Sequence, residues 1–258
     1  MKKILVTGSN GQLGQALRSV ADGYPSLSFH FFSKQEFDIT DIAAVESVIT
    51  SQSWDYVINC AAYTDVDKAE KEPEKALLIN CKAPSVLARV CKRNGIHLIH
   101  ISTDYVFDGE KGSPYTPQDL PNPINQYGKS KWEGEKAIQA EGGDYSIIRT
   151  SWLYSEFGNN FYTKIVKKAE AGEPLYVTNE QIGSPTDAKN LANHILTGIK
   201  NSCILKGISH FSDGEVMTWL GLAEKIVITK KLAVRKDVLQ TNNHESVIKR
   251  PTYSVLTN

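Results

Sequence analysis

Short, continuous apolar runs alternate with longer amphipathic segments through the first 150 residues. Lys3 to Thr7, Leu27 to Phe32, Asp55 to Cys60, His97 to Ser102 and Tyr145 to Thr150 read as five strands. Between them, Gln12 to Val20, a segment from Asp41 to about Ser51, Pro73 to Asn94 and Gln126 to Ala140 carry helical periodicity. Thr40 or Asp41 can cap the second helix, and Pro84 should kink or break the third. Strands this short, rich in Val and Ile and separated by helices, pack as a parallel sheet covered on both faces.

The fold class is therefore α/β, a doubly wound, Rossmann-type parallel sheet whose ligand should lie beyond the C-terminal ends of the strands. After residue 150 the pattern loosens. A Gly158-Asn159-Asn160 turn and a helix precede Gly172, and Asp187 to Ile199 is helical and could return to the sheet. A strand-like Ile208 to Phe211, a helix near Thr218 to Ile228 and a polar stretch to Pro251 follow. We expect a nucleotide-binding domain over 1–150 plus about 174–206. A smaller α/β substrate-binding lobe should take about 151–173 plus 207–258.

The first glycines change the picture most. Gly8, Gly11 and Gly14 follow the first strand directly and open a helix. Gly8 permits a tight turn, Gly11 lets the backbone approach a pyrophosphate, and Gly14 lets helix and strand pack closely. The helix N-terminus then offers N–H groups to an anion. This order points to a dinucleotide cofactor.

Composition excludes several classes. The chain has 258 residues, 41% of them hydrophobic and 22% charged, enough for one large core and a smaller lobe. Formal net charge is zero and no block of like charge occurs, so no nucleic-acid or membrane partner is expected. Cys60, Cys81, Cys91 and Cys203 form no CxxC pair and read as buried reduced thiols. No apolar run is long enough to span a bilayer, and the chain opens on a strand rather than a leader, so the cytoplasm is the default.

Tyr127 and Lys131 stand four apart on a helix, hence on one face. An ammonium beside a phenol should lower the Tyr pKa and make Tyr127 a usable general acid. Ser102 and Thr103 end the fourth strand, where a cofactor should lie, and a hydroxyl there can polarise a substrate carbonyl. Thr103, Tyr127 and Lys131 together suit carbonyl reduction by a nicotinamide hydride.

VTGSNGQLG, NCAAYTDVDKAE with the following Asn80, ISTDYVFDG, YGKSK, RTSWLYSEFGNNF and QIGSPT resemble the extended short-chain dehydrogenase/reductases. More narrowly, they resemble the dTDP-4-dehydrorhamnose reductase family. The resemblance implies reduction of the C4 ketone of dTDP-4-dehydro-β-L-rhamnose by NADPH, with NADH tolerated. It assigns Tyr127 as proton donor, Lys131 to the nicotinamide ribose and Thr103 to the keto oxygen. Asp104, Val106 and Trp152 would line the sugar site, although Trp152 reads equally well as a core aromatic between lobes. Gly8, Asn10, Gln12, Leu13 and Gly14 match the pyrophosphate loop. Asp38 and Ile39 match adenine contacts, and Ala61, Ala62 and Thr64 should pass under the cofactor. Asn80 and Ser102 complete the cofactor set.

The second strand ends in Phe32-Ser33-Lys34, with no acidic residue for a ribose hydroxyl, and Ser33 and Lys34 suit a 2′-phosphate. Some relatives are dimers bridged by a metal on carboxylates. Here Gln15 and Lys189 stand at the matching positions, so no metal is expected, and the chain should be a monomer or a weak homodimer without a metal bridge. Arg250-Pro251 resembles the family's RP motif, after which the chain is shorter than its relatives, as a genuine short form or a truncated chain. Two other readings stay open: another sugar-nucleotide reductase or epimerase on the same scaffold, and a non-catalytic NADP-binding regulatory subunit like the β subunit of methionine adenosyltransferase.

Overall fold

A computed structural model describes residues 1–232, 239–241 and 248–258. Six parallel strands form the central sheet: β1 (Lys2–Thr7), β2 (Leu27–Phe31), β3 (Tyr56–Asn59), β4 (His97–Thr103), β5 (Tyr145–Thr150) and β6 (Gly207–Phe211). Their order is β2-β1-β3-β4-β5-β6, so the chain reverses its direction of travel between β1 and β3. That reversal opens the crevice where doubly wound folds take a nucleotide.

Alternation along the strands sends side chains to two layers. Leu5, Val57, Leu98 and Ile147 point to one face, where helices α2 (Ile42–Thr50), α5 (Ala83–Arg93) and α6 (Gln126–Glu141) bury Val45, Ile49, Leu87, Val90 and Ile138. Ile4, Val6, Ile58, Ile99 and Ile148 point to the other face. There α1 (Gln12–Val20) and α8 (Ala188–Lys200) supply Ala16, Leu17, Leu191, Ile195 and Ile199. Each such Leu or Ile, fully buried, contributes about 1.5–3 kcal/mol.

Three local differences from the expected pattern have physical causes. The segment Gly207–Phe211, expected in the small lobe, pairs in parallel with β5 as an edge strand of the main sheet. The helix expected over Pro73–Asn94 is three pieces: α4 (Pro73–Leu77), a π-helical turn (Leu78–Lys82) and α5. Pro84 has no N–H to give the carbonyl four residues back, and the Ala83 N–H reaches Leu78 O, five residues back, instead. Of the four free cysteines, Cys91 is buried, Cys60 and Cys81 are half-buried and Cys203 is exposed, because the apolar stripe of α8 ends before it.

The small lobe packs α7 (Phe161–Glu170) against α9 (Trp219–Thr229) around Trp152, Ile165, Leu175, Val177, Leu222 and Ile226. Within the polar stretch expected to reach Pro251, residues 233–238 and 242–247 lie outside the described residues. The final segment returns to the body of the molecule. Ile182 N–H donates to Thr252 O and Tyr115 N–H to Val255 O, both at 2.8 Å. No helix among the described residues is long and apolar enough to cross a membrane.

Candidate active site

The candidate residues converge at the C-terminal ends of β1, β3, β4 and β5. At β1 the chain turns at Gly8 (φ +63°). A Cβ on Gly8 would lie 2.6 Å from Ala61 N, and one on Gly14 would lie 2.6 Å from Gly8 O. Turn, helix and the β3 loop are thus in backbone contact, which only glycine allows. Gly11 caps α1 without a side-chain bond, and no acidic residue stands in its first turn. Those N–H groups, with the positive end of the helix dipole, fit a pyrophosphate. Gln12 Oε1 accepts from Ser155 Oγ at 3.1 Å, tying this turn to the chain after β5. Asn10 and Leu13 share the turn, where Leu13 is buried against the sheet and Asn10 is exposed.

After β2, Ser33 gives both its N–H (2.8 Å) and its hydroxyl (2.7 Å) to Glu36 Oε2. Lys34 lies 3.7 Å from Asp38 Oδ2, largely exposed. Asp38 Oδ1 in turn caps Thr40 N and Oγ1. Ile39 departs from its expected place at the adenine: its side chain belongs to the core between β1, α2 and α5.

After β3, Ala61 and Ala62 are half-buried and Thr64 is exposed. Asn80 holds this loop rather than facing the crevice. From the π-helical turn its Oδ1 accepts from Tyr63 N (2.8 Å), while Nδ2 donates to Tyr63 O and Ser130 Oγ, each at 2.9 Å.

At β4 the fold brings the expected catalytic groups together. Asn125 caps α6 through Gly128 N, which sets Tyr127 in the first turn of the helix, near the end of β4. The Tyr127 phenol lies close to Thr103. Thr103 Oγ1 donates to Asp104 Oδ1 at 3.0 Å. Lys131, 2% exposed, donates to Ile101 O at 2.6 Å and lies 3.1 Å from His100 Nε2.

The electrostatics differ from the expectation of a lowered phenol. Burial pushes Tyr127 up to about 12, against the lowering effect of the nearby Thr103 hydroxyl. Burial also brings Lys131 down to about 8. In the cofactor-free protein Lys131 Nζ is turned to Ile101 O and His100 and does not lower the phenol; Tyr127 remains protonated at neutral pH, the form a proton donor needs. Burial raises Asp104 to about 7, and its Oδ2 has no hydrogen-bond partner.

Three expected site residues have other work. Ser102 Oγ is engaged by Glu135, which also pairs with Arg149 at 2.7 Å in a fully buried ion pair. Val106 does not line the crevice: a 3₁₀ turn over Asp104–Val106 sends it, 0% exposed, into a cluster with Phe107, Tyr115 and Leu256. Trp152 takes the core alternative. It stacks on Trp219 (3.8 Å, 6°) inside the small lobe, with its backbone held at φ +48°. Gln15 bonds Asn10 O, and Lys189 pairs with Glu156.

Sequence reasoning missed His100, Asn59, Glu135, Arg149 and Tyr105. A histidine inside HLIHIS and an arginine inside YSIIRT are ionisable groups in strands whose positions in the sheet are buried, and that was the available signal. Tyr105 lies edge-on to Tyr127, 5.6 Å between centroids.

Comparison with known proteins agrees with this geometry. A dTDP-4-dehydrorhamnose reductase of Sinorhizobium fredii is 37% identical over 229 residues, covering 87% of this chain and 77% of the relative. The spore coat polysaccharide biosynthesis protein SpsK of Bacillus subtilis is 38% identical, covering 99% of this chain and 89% of the relative. The crystal structure of dTDP-4-dehydrorhamnose reductase from Bacillus anthracis in complex with NADP superposes with a TM-score of 0.91 at 35% identity, covering 100% of this chain and 91% of that one. Residues 1–258 match a single family across their whole length. The chain belongs to the family described as RmlD substrate binding domain.

Proposed function

We propose that this protein reduces the C4 ketone of dTDP-4-dehydro-β-L-rhamnose to dTDP-L-rhamnose with NADPH. The observation that carries the reading is the meeting of Thr103, Tyr127 and Lys131 at the end of β4, close to a glycine turn built for a pyrophosphate. The similarity to reductases of this name, one solved with NADP, supports the substrate class and the cofactor.

The nicotinamide, when bound, supplies the hydride. The chain supplies the rest. The Tyr127 hydroxyl stands near Thr103, and a carbonyl oxygen placed between them would accept from Tyr127 and, once Thr103 turns from Asp104 Oδ1, from Thr103 as well. As that oxygen gains charge, Tyr127 gives it a proton. Lys131 lies one turn along α6, where it can hold ribose hydroxyls and, when charged, stabilise the phenolate left behind. Lys34 and Ser33 face the end of β2, where a 2′-phosphate would lie. Asp104, raised to about 7 by burial, carries less charge beside the reacting oxygen than an exposed carboxylate would.

The test is NADPH oxidation with dTDP-4-dehydro-β-L-rhamnose formed in situ, with the product identified by mass and sugar analysis. Oxidation yielding dTDP-L-rhamnose is expected. NADPH binding without oxidation would overturn the reductase reading.

A further inference from the structure

A chain of buried polar side chains runs from the core of the sheet to Lys131, and its hydrogen-bond logic admits one arrangement. Thr7 Oγ1 donates to Asn59 Oδ1 at 2.7 Å, and the Ala61 N–H donates to the same oxygen at 3.2 Å. A backbone N–H can only donate, so the Asn59 oxygen is fixed on that side. Asn59 Nδ2 then faces His100 Nδ1 at 3.0 Å and donates to it. A neutral His100 must carry its proton on Nε2, the nitrogen 3.1 Å from Lys131 Nζ. His100 is neutral: complete burial, and then the neighbouring Lys131 charge, hold its pKa well below the usual range.

An Nε2–H needs an acceptor. An ammonium has none, whereas an amine has one lone pair and still has hydrogens to give Ile101 O. Of the other titratable groups, Glu135, one turn along α6, favours a charged Lys131, but burial is the larger effect and that carboxylate is already engaged by Arg149 of β5 and by Ser102; the Tyr127 phenol lies toward Thr103.

We propose that His100 is a positioning residue for Lys131: its Nε2–H favours the uncharged Lys131 amine in the cofactor-free protein, so that above the Lys131 titration binding of the dinucleotide is coupled to uptake of a proton by Lys131. The proposal rests on the reading of Lys131 as a ribose contact. On binding, ribose hydroxyls offer the acceptors an ammonium needs, and the proton taken up gives Lys131 the charge that supports Tyr127. The depressed Lys131 titration agrees with an amine that the free protein leaves uncharged with unusual ease.

The experiment is calorimetry of NADPH binding to the wild-type protein, His100→Gln and Lys131→Met, in buffers of different ionisation enthalpy and across alkaline pH. Above the Lys131 titration the wild-type protein is expected to take up close to one proton, and its Kd to rise about tenfold per pH unit; near neutrality uptake should be small. In His100→Gln a carbonyl can accept from the ammonium, so proton uptake should fall and the rise in Kd should begin about one pH unit higher. Unchanged uptake and an unmoved limb in His100→Gln, with both abolished in Lys131→Met, would overturn the role of His100 and leave the ribose reading standing. A Lys131→Met protein that binds NADPH as tightly as the wild type would instead overturn the ribose reading itself. Should His100→Gln not fold, ¹⁵N NMR of the wild-type histidines decides: an Nε2–H tautomer at His100 is expected, and an Nδ1–H tautomer or an imidazolium contradicts the proposal.

Discussion

Arg250 Nη2 donates to Asp67 Oδ1 at 2.7 Å, joining residues 183 positions apart. The guanidinium also lies close to the hydroxyl of Tyr105, whose ring rests edge-on against Tyr127. Two sequence features with no evident partners, the AAYTDVDKAE run and the Arg250-Pro251 motif, thus meet beside the proposed proton donor. The Asp67 end is exposed, and such a pair contributes about 0–1 kcal/mol. Arg250→Ala should therefore leave Tm nearly unchanged while lowering kcat/KM by roughly tenfold through a loosened Tyr105. Asp67→Asn should do less of both. Equal kinetics for the two variants would show that the Tyr105 contact is idle.

Lys131→Met should abolish most activity and stabilise the fold. The Lys131 pKa is lower in the folded protein, about 8, than the ordinary 10.5 of the unfolded chain. The unfolded state therefore binds more protons between those values, and wild-type stability rises with pH across that window. At neutral pH the full cost of burying the lysine is present, and methionine removes it. Thermal melts should show Tm raised by roughly 2–6 °C near neutrality, with the gain shrinking as pH climbs toward 10.5. A lowered Tm at neutral pH would contradict this.

Lys34→Ala should weaken NADPH binding by about fivefold to tenfold and leave NADH binding unaltered, because only the 2′-phosphate carries the charge that Lys34 meets. Fluorescence titration of both cofactors gives the ratio. The same change in both Kd values would remove Lys34 as the phosphate contact.

Arg149→Met should be severely destabilising. Glu135 would be left as a buried carboxylate without its counter-charge, at a cost of about 3–5 kcal/mol. Adding Glu135→Leu should restore much of the loss, since the stranded charge goes with it. Chemical denaturation of the single and double variants measures both, and a double variant less stable than Arg149→Met would show the pair to be net stabilising.

The sheet and its order of elements were legible because the apolar runs at Ile4, Val57, Leu98 and Ile147 have the length and spacing of buried strands. The glycine turn was legible for the same reason: a Cβ at Gly8 or Gly14 has nowhere to go. The helical spacing of Tyr127 and Lys131 placed both on α6, but not the direction of their pKa shifts. Those depend on burial and on Ile101 and His100, contributed by another strand. Val106, Ile39 and Asn80 were read as ligand contacts from motif position alone. Their side chains instead settle into the core or clasp a loop, because motif position does not reveal which way a side chain points. The polar network Thr7–Asn59–His100–Lys131 joins β1, β3, β4 and α6, and no local pattern encodes it.

The most direct test of the account is the turnover of Tyr127→Phe with saturating NADPH and dTDP-4-dehydro-β-L-rhamnose, measured beside its Kd for NADPH. The account predicts a loss of kcat of about a hundredfold or more, with the Kd within about threefold of wild type. Near wild-type turnover would show that another group delivers the proton.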